Sequence, residues 1–155
     1  MLYDILLFLH IVGAAVLLGT GIGIAFFMVV SNHSRDPVLI AHTARTVVLA
    51  DGLFTATAVI AQPITGWLLA LEAGWHLAED WLVLSIGLYG VVLAFWLPVV
   101  WIQLRLRNLA RAARDAGGPL PGAYHRLYKI WFACGFPALF ALCGIVWLML
   151  TKPIF

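Results

Sequence analysis

Apolar residues along this chain fall into four long runs: Tyr3 to Val30, Val47 to Leu71, Leu82 to Leu104 and Ile130 to Thr151. Polar and charged positions are concentrated in the three connectors. Each run exceeds the roughly 20 residues needed to cross about 30 Å of hydrocarbon, with a surplus for tilt. A segment in lipid must satisfy its own backbone, so each run is predicted to be helical. The expected fold is all-α: one integral membrane four-helix bundle over residues 1–155, without a soluble domain or internal repeat. Pro63, Pro98 and Pro137 lie inside the runs and are read as kinks, not helix ends. The first run has no basic segment before it and is too long for the apolar core of a cleavable signal, about 7–15 residues. It is expected to remain as a transmembrane helix.

Composition agrees with this pattern. Of 155 residues, 64% are hydrophobic and 10% charged, against about a quarter charged in soluble proteins. The placement of charge is more informative than the net +2. The first connector, Ser31 to Thr46, holds Arg35 and Arg45. The third, Arg105 to Lys129, holds Arg105, Arg107, Arg111, Arg114, Arg126 and Lys129. The second, Glu72 to Trp81, has no Lys or Arg and carries Glu72, Glu79 and Asp80. The positive-inside rule places the first and third connectors in the cytoplasm and both termini outside. The expected location is a bacterial cytoplasmic (inner) membrane, crossed four times. Trp67, Trp75 and Trp81 are assigned to an outer aromatic belt, and Trp101 and Trp131 to an inner one. Arg107, Arg111 and Arg114 share a helical face, expected to lie on the inner surface against anionic lipid. Membrane topology explains these arginines, so the bilayer is the expected partner and nucleic acid is not. GGPLPG, Gly117 to Gly122, is expected to end that helix.

Four polar positions inside the runs carry the candidate chemistry. His10 lies in LFLHIVGAAVLLGTGIGI, and one helical face from it carries Gly13, Ala14, Leu17, Thr20, Gly21 and Ile24. A histidine in hydrocarbon faces other helices, a cavity or a cofactor, and the small residues beside it would let a flat molecule or a backbone approach. It is either an axial ligand to haem or a packed residue bonded to a neighbouring helix. By topology it falls in the outer half of the membrane, about 12 Å along its helix.

The second helix carries Asp51, Thr55, Ala58, Gln62, Thr65 and Gly66 on one side. Asp51 is read near the inner boundary, paired with Arg126 or Lys129; alternatively it opens a proton relay toward Gln62. Pro63 frees the carbonyl four residues before it, at a place where a polar cavity could form. Tyr89, on a face with Ser85 and Trp96, either packs or donates a hydrogen bond into such a pocket. His76 is the other histidine of the outer half, expected in solvent, whereas His33, His42 and His125 fall on the cytoplasmic side without a motif. Cys134 and Cys143, nine positions apart on one helix, cannot pair and are read as buried and inert.

The segments LHIVGAAVLLGTG, AQPITGWLLA, DWLVLSIGLYG and IVWLMLTKPIF resemble the bacterial family called domain of unknown function twenty-two sixty-nine, described as four-helix integral membrane proteins. The layout is also similar to HemJ-type protoporphyrinogen IX oxidases. The counterparts are Leu9-His10, Pro63 with Gly66, Trp81-Leu82 with Ser85, and Lys152-Pro153. That resemblance implies haem b on His10. The lysine of the family's third helix falls on Ser85, and its asparagine–glutamate element is missing near Phe136-Pro137, which argues against the oxidase reaction.

Two main functions follow, beside a third reading as a true porphyrinogen oxidase with altered catalytic residues. One is a membrane oxidoreductase or electron-transfer protein holding haem b through His10. Gly13, Thr20, Gln62 and Tyr89 would line its pocket, and His76, Met149, water or a second subunit would supply the other ligand. Quinone would be its lipid-soluble partner and a homodimer its assembly. The other is a cofactor-free permease or assembly partner working through Asp51, Thr55 and Gln62.

Overall fold

A computed structural model describes residues 1–153; Ile154 and Phe155, the end of the KPIF element, lie outside the described residues. Helix α1 runs Leu2–His33, α2 Pro37–Ala50, α3 Ala56–Glu72, α4 Asp80–Asp115 and α5 Gly122–Thr151. A π-helical turn, Asp51–Thr55, joins α2 to α3, so Pro37–Glu72 is one continuous rod. Four rods are long and apolar enough to cross a membrane, and no strand occurs among the described residues.

The helices extend further at the basic end than the apolar runs suggest. Only Ser34, Arg35 and Asp36 separate α1 from α2, in place of the expected connector Ser31 to Thr46. Asp36 caps α2, accepting from the Val38 amide at 2.8 Å, and Pro37 takes the first helical position. At the other end of α4, Gly117 adopts φ 60° and lets the chain turn back; Pro121 then opens α5. The helices continue through Pro63, Pro98 and Pro137, as expected.

Packing differs between the two ends. At the basic end, α2 lies against α4 and α1 against α2. They enclose a core of Met28, Ile40, Leu106, Ala110 and Tyr124. Leu106, Ala110 and Ala113 of α4 are buried there, so this segment continues along the bundle. The segment continues its helix, as expected, and Arg107, Arg111 and Arg114 lie away from its buried face. Toward the termini the backbones separate into two close pairs, α1 with α3 and α4 with α5. Side chains bridge the pairs: Leu17, Ala58 and Val59 against Tyr89, Leu93 and Trp96.

The tryptophans do not all form belts. Trp67 and Trp101 face outward, whereas Trp81 and Trp131 are buried. Trp75 packs edge-on against Trp81 with centroids 5.5 Å apart, and Lys152 lies 4.8 Å over the Trp75 ring. This ties the end of α5 to the hairpin between α3 and α4. Cys143 is exposed and Cys134 half-buried, not enclosed as expected, and they form no disulfide.

Candidate functional site

The intramembrane polar residues form two separate clusters. The first joins α1 to α3 by reciprocal contacts of large on small. The His10 ring lies with Cε1 toward Gly66, where an added Cβ would come within 3.2 Å. In return, Gln62 lies on Gly13, where an added Cβ would sit 2.2 Å from Nε2. The Gln62 amide donates to the His10 carbonyl at 2.9 Å. His10 Nδ1 and Thr65 Oγ1 are 2.8 Å apart, and that hydroxyl is 2.9 Å from the Ala61 carbonyl. With its proton on Nδ1, His10 donates to Thr65, which donates onward, and Nε2 keeps a lone pair. Nε2 has no hydrogen-bond partner among the described residues.

This cluster contains His10, Gly13 and Gln62 of the expected haem pocket, but not the rest. Thr20 lies ten residues on, about 15 Å along α1. His76 is exposed in the hairpin beyond the end of α3. The Tyr89 hydroxyl donates to the Val59 carbonyl, the group Pro63 deprives of its helical donor. The freed carbonyl is therefore satisfied by a side chain, with no polar cavity at that point.

The second cluster surrounds Asp51, which is 5% exposed within the π-helical turn. Trp96 Nε1 donates to Asp51 Oδ1 at 3.4 Å. The Gln103 amide, oriented to satisfy both its neighbours, donates to Oδ2 at 3.3 Å and accepts from Trp131 Nε1 at 3.3 Å. Thr55 is 6% exposed, one turn from Asp51, and its hydroxyl has no hydrogen-bond partner among the described residues. The expected ion pair is absent among the described residues: Asp51 is in no salt bridge, and Arg126 and Lys129 are exposed. The reason is the facing of α5. Trp131 points inward and reaches Asp51 through Gln103, whereas Lys129, two positions before it, and Arg126 point outward.

The expected continuous stripe from Asp51 to Gln62 is also interrupted. Leu17, Ala58 and Val59 form a dry layer between the clusters. On the other side of Asp51 lies the core that includes Val47 and Ile102. Gln103 and Trp131 were not singled out from the sequence. A lone amide between Ile102 and Leu104 is the same signal that marked Gln62, and it could have found Gln103.

No group of three His, Cys, Asp or Glu able to hold a metal ion occurs among the described residues. For haem, the donor atom is suitable, since a histidine held through Nδ1 presents Nε2 to iron. On the α1–α3 side of the ring, Gly66, Thr65 and Gln62 occupy the space. A groove between α4 and α5 and another beside Pro63 are lined by residues other than His10. A porphyrin on Nε2 therefore does not fit between α1 and α3.

No curated protein and no solved structure matches the chain. A family match covers nearly its full length and agrees with the four spanning rods: the chain belongs to the family described as "Predicted integral membrane protein (DUF2269)", which it matches over residues 4–153.

Proposed function

We propose that this protein is a small, cofactor-free membrane permease component in which Asp51 takes up and releases a proton. The observation that carries this is the company Asp51 keeps: Trp96 and Gln103 donate to it, Thr55 stands beside it, and no cation among the described residues pairs with it. A carboxylate inside a membrane bundle needs a proton or a cation to offset its charge. A π-helical turn in an α-helix frequently marks a working site, because it displaces the backbone where a side chain must act. The apolar layers on either side of Asp51 are the barriers that part to admit water from one end or the other. The basic end faces the cytoplasm, by the excess of Arg and Lys in residues 105–129, and the membrane is a bacterial inner membrane.

Proteoliposomes under an imposed pH gradient, with a pH dye inside, test this. Wild-type protein is expected to collapse the gradient faster than Asp51→Asn at equal protein content. Equal rates, with both proteins folded, contradict the proposal.

One observation favours the haem alternative: His10 Nδ1 is held by Thr65 while Nε2 makes no protein hydrogen bond. A haem there would lie outside the α1–α3 pair. A second copy would close the site across α1, where Gly19 and Gly21 leave open space, and quinone would reach it from the bilayer. Protein purified from haem-replete cells would then show a Soret band and a sharp alpha band after dithionite, both lost in His10→Ala. A colourless preparation excludes this alternative and leaves the Asp51 proposal standing.

A further inference from the structure

A groove at the basic end lies outside both clusters. It has a volume of about 430 Å³ and runs between α4 and α5, lined by Trp101, Arg105, Asn108 and Leu109 on one side and Arg126 and Leu127 on the other. Its walls are largely apolar, and Arg105 and Arg126 are the charged residues among those that line it. The Arg105 guanidinium lies over the Trp101 ring, 5.4 Å from its centroid. No carboxylate lines the groove.

The neighbouring arginines are engaged elsewhere. Arg114 pairs with Asp115 at 2.7 Å and Arg111 approaches the same carboxylate at 3.8 Å. Arg107 donates to the Asn108 side chain at 3.2 and 3.1 Å. Arg105 and Arg126 make no salt bridge among the described residues. Two cations without an acidic partner among the described residues, one from each helix, thus line the same apolar groove.

We propose that this groove binds one anionic phospholipid, with its phosphodiester between Arg105 and Arg126 and an acyl chain along Trp101 toward the membrane centre. Two guanidiniums suit the phosphate oxygens. The apolar wall distinguishes a lipid from free phosphate, because it offers an inorganic anion nothing. Trp101 faces outward at this level, as an aromatic residue at the lipid boundary does. The site rests on neither Asp51 nor His10, so it stands or falls separately from the proposed function.

Native mass spectrometry of the delipidated full chain in detergent tests it, with phosphatidylglycerol and phosphatidylcholine of identical acyl chains as probes. Phosphatidylglycerol is expected to bind about tenfold more tightly, and Arg105→Gln or Arg126→Gln each to weaken it about fivefold. Arg111→Gln, at a position already paired with Asp115, should leave binding unchanged. Equal binding of the two lipids overturns the proposal, as does an equal loss in Arg111→Gln. Displacement of the lipid by millimolar inorganic phosphate also overturns it, in favour of a simple anion site. Should the groove variants fail to fold, the comparison of the two lipids on wild-type protein still decides.

Discussion

The hydroxyl of Tyr89 on α4 donates to the carbonyl of Val59 on α3, the carbonyl that Pro63 leaves without its helical amide. A helix defect on one side of the bundle is thereby repaired from the other, and the repair joins the two helix pairs where their backbones have moved apart. In hydrocarbon an unsatisfied carbonyl has no water to turn to.

Tyr89→Phe should therefore cost about 1 kcal/mol of stability. Pro63→Ala restores an amide to Val59, so the same Tyr89→Phe change in that background should cost much less. Reversible unfolding in mixed micelles, arranged as a double-mutant cycle, measures the coupling. Equal costs in both backgrounds would show that the hydroxyl does not serve this carbonyl.

The contact between α1 and α3 predicts a graded response at glycine. Gly13→Ala puts a methyl where the Gln62 amide lies and should cost about 1–2 kcal/mol through the lost hydrogen bond to His10. Gly66→Ala meets the His10 ring at 3.2 Å and requires a smaller adjustment. Gly21→Ala meets nothing within 4 Å and should be neutral or slightly stabilising, since alanine is the better helix former. Thermal unfolding of the three variants ranks them. A Gly21→Ala loss as large as that of Gly13→Ala would point to a helix partner on that face.

Much of this architecture was legible in the sequence, because the hydrocarbon dictates run length and helical backbone. Spacing alone places His10 with Gly13 on one stripe and Gln62 with Gly66 on another; that the two stripes meet is seen only in the structure. What the sequence hid depends on where helices begin and which way their side chains face. The second helix starts at Pro37, not Val47. Trp131 of α5 reaches Asp51 through Gln103, whereas Lys129, two positions before it, points outward. The π-helical turn, which packs against α1, has no signature in DGLFT. Trp131 looked like a belt residue because an inward and an outward tryptophan near a boundary have the same composition.

Gln103 connects Trp131 to Asp51, so Gln103→Leu removes an acceptor and a donor together. It should cost about 2 kcal/mol by leaving buried polar groups unpaired. Gln103→Glu, which keeps the acceptor for Trp131 but places a second carboxyl against Asp51, should be at least as damaging. Chemical unfolding followed by tryptophan emission measures both. An unchanged midpoint for Gln103→Leu would remove Gln103 from the network.

Infrared difference spectroscopy of the lipid-reconstituted protein across a pH step observes the Asp51 proton directly. Wild type should show a carboxylic acid carbonyl band at the high frequency of a water-poor site. That band should shift on exchange into heavy water, rise and fall with pH, and vanish in Asp51→Asn while the amide bands stay the same. A wild-type spectrum with no such band, or one that persists in Asp51→Asn, would mean that Asp51 does not exchange a proton.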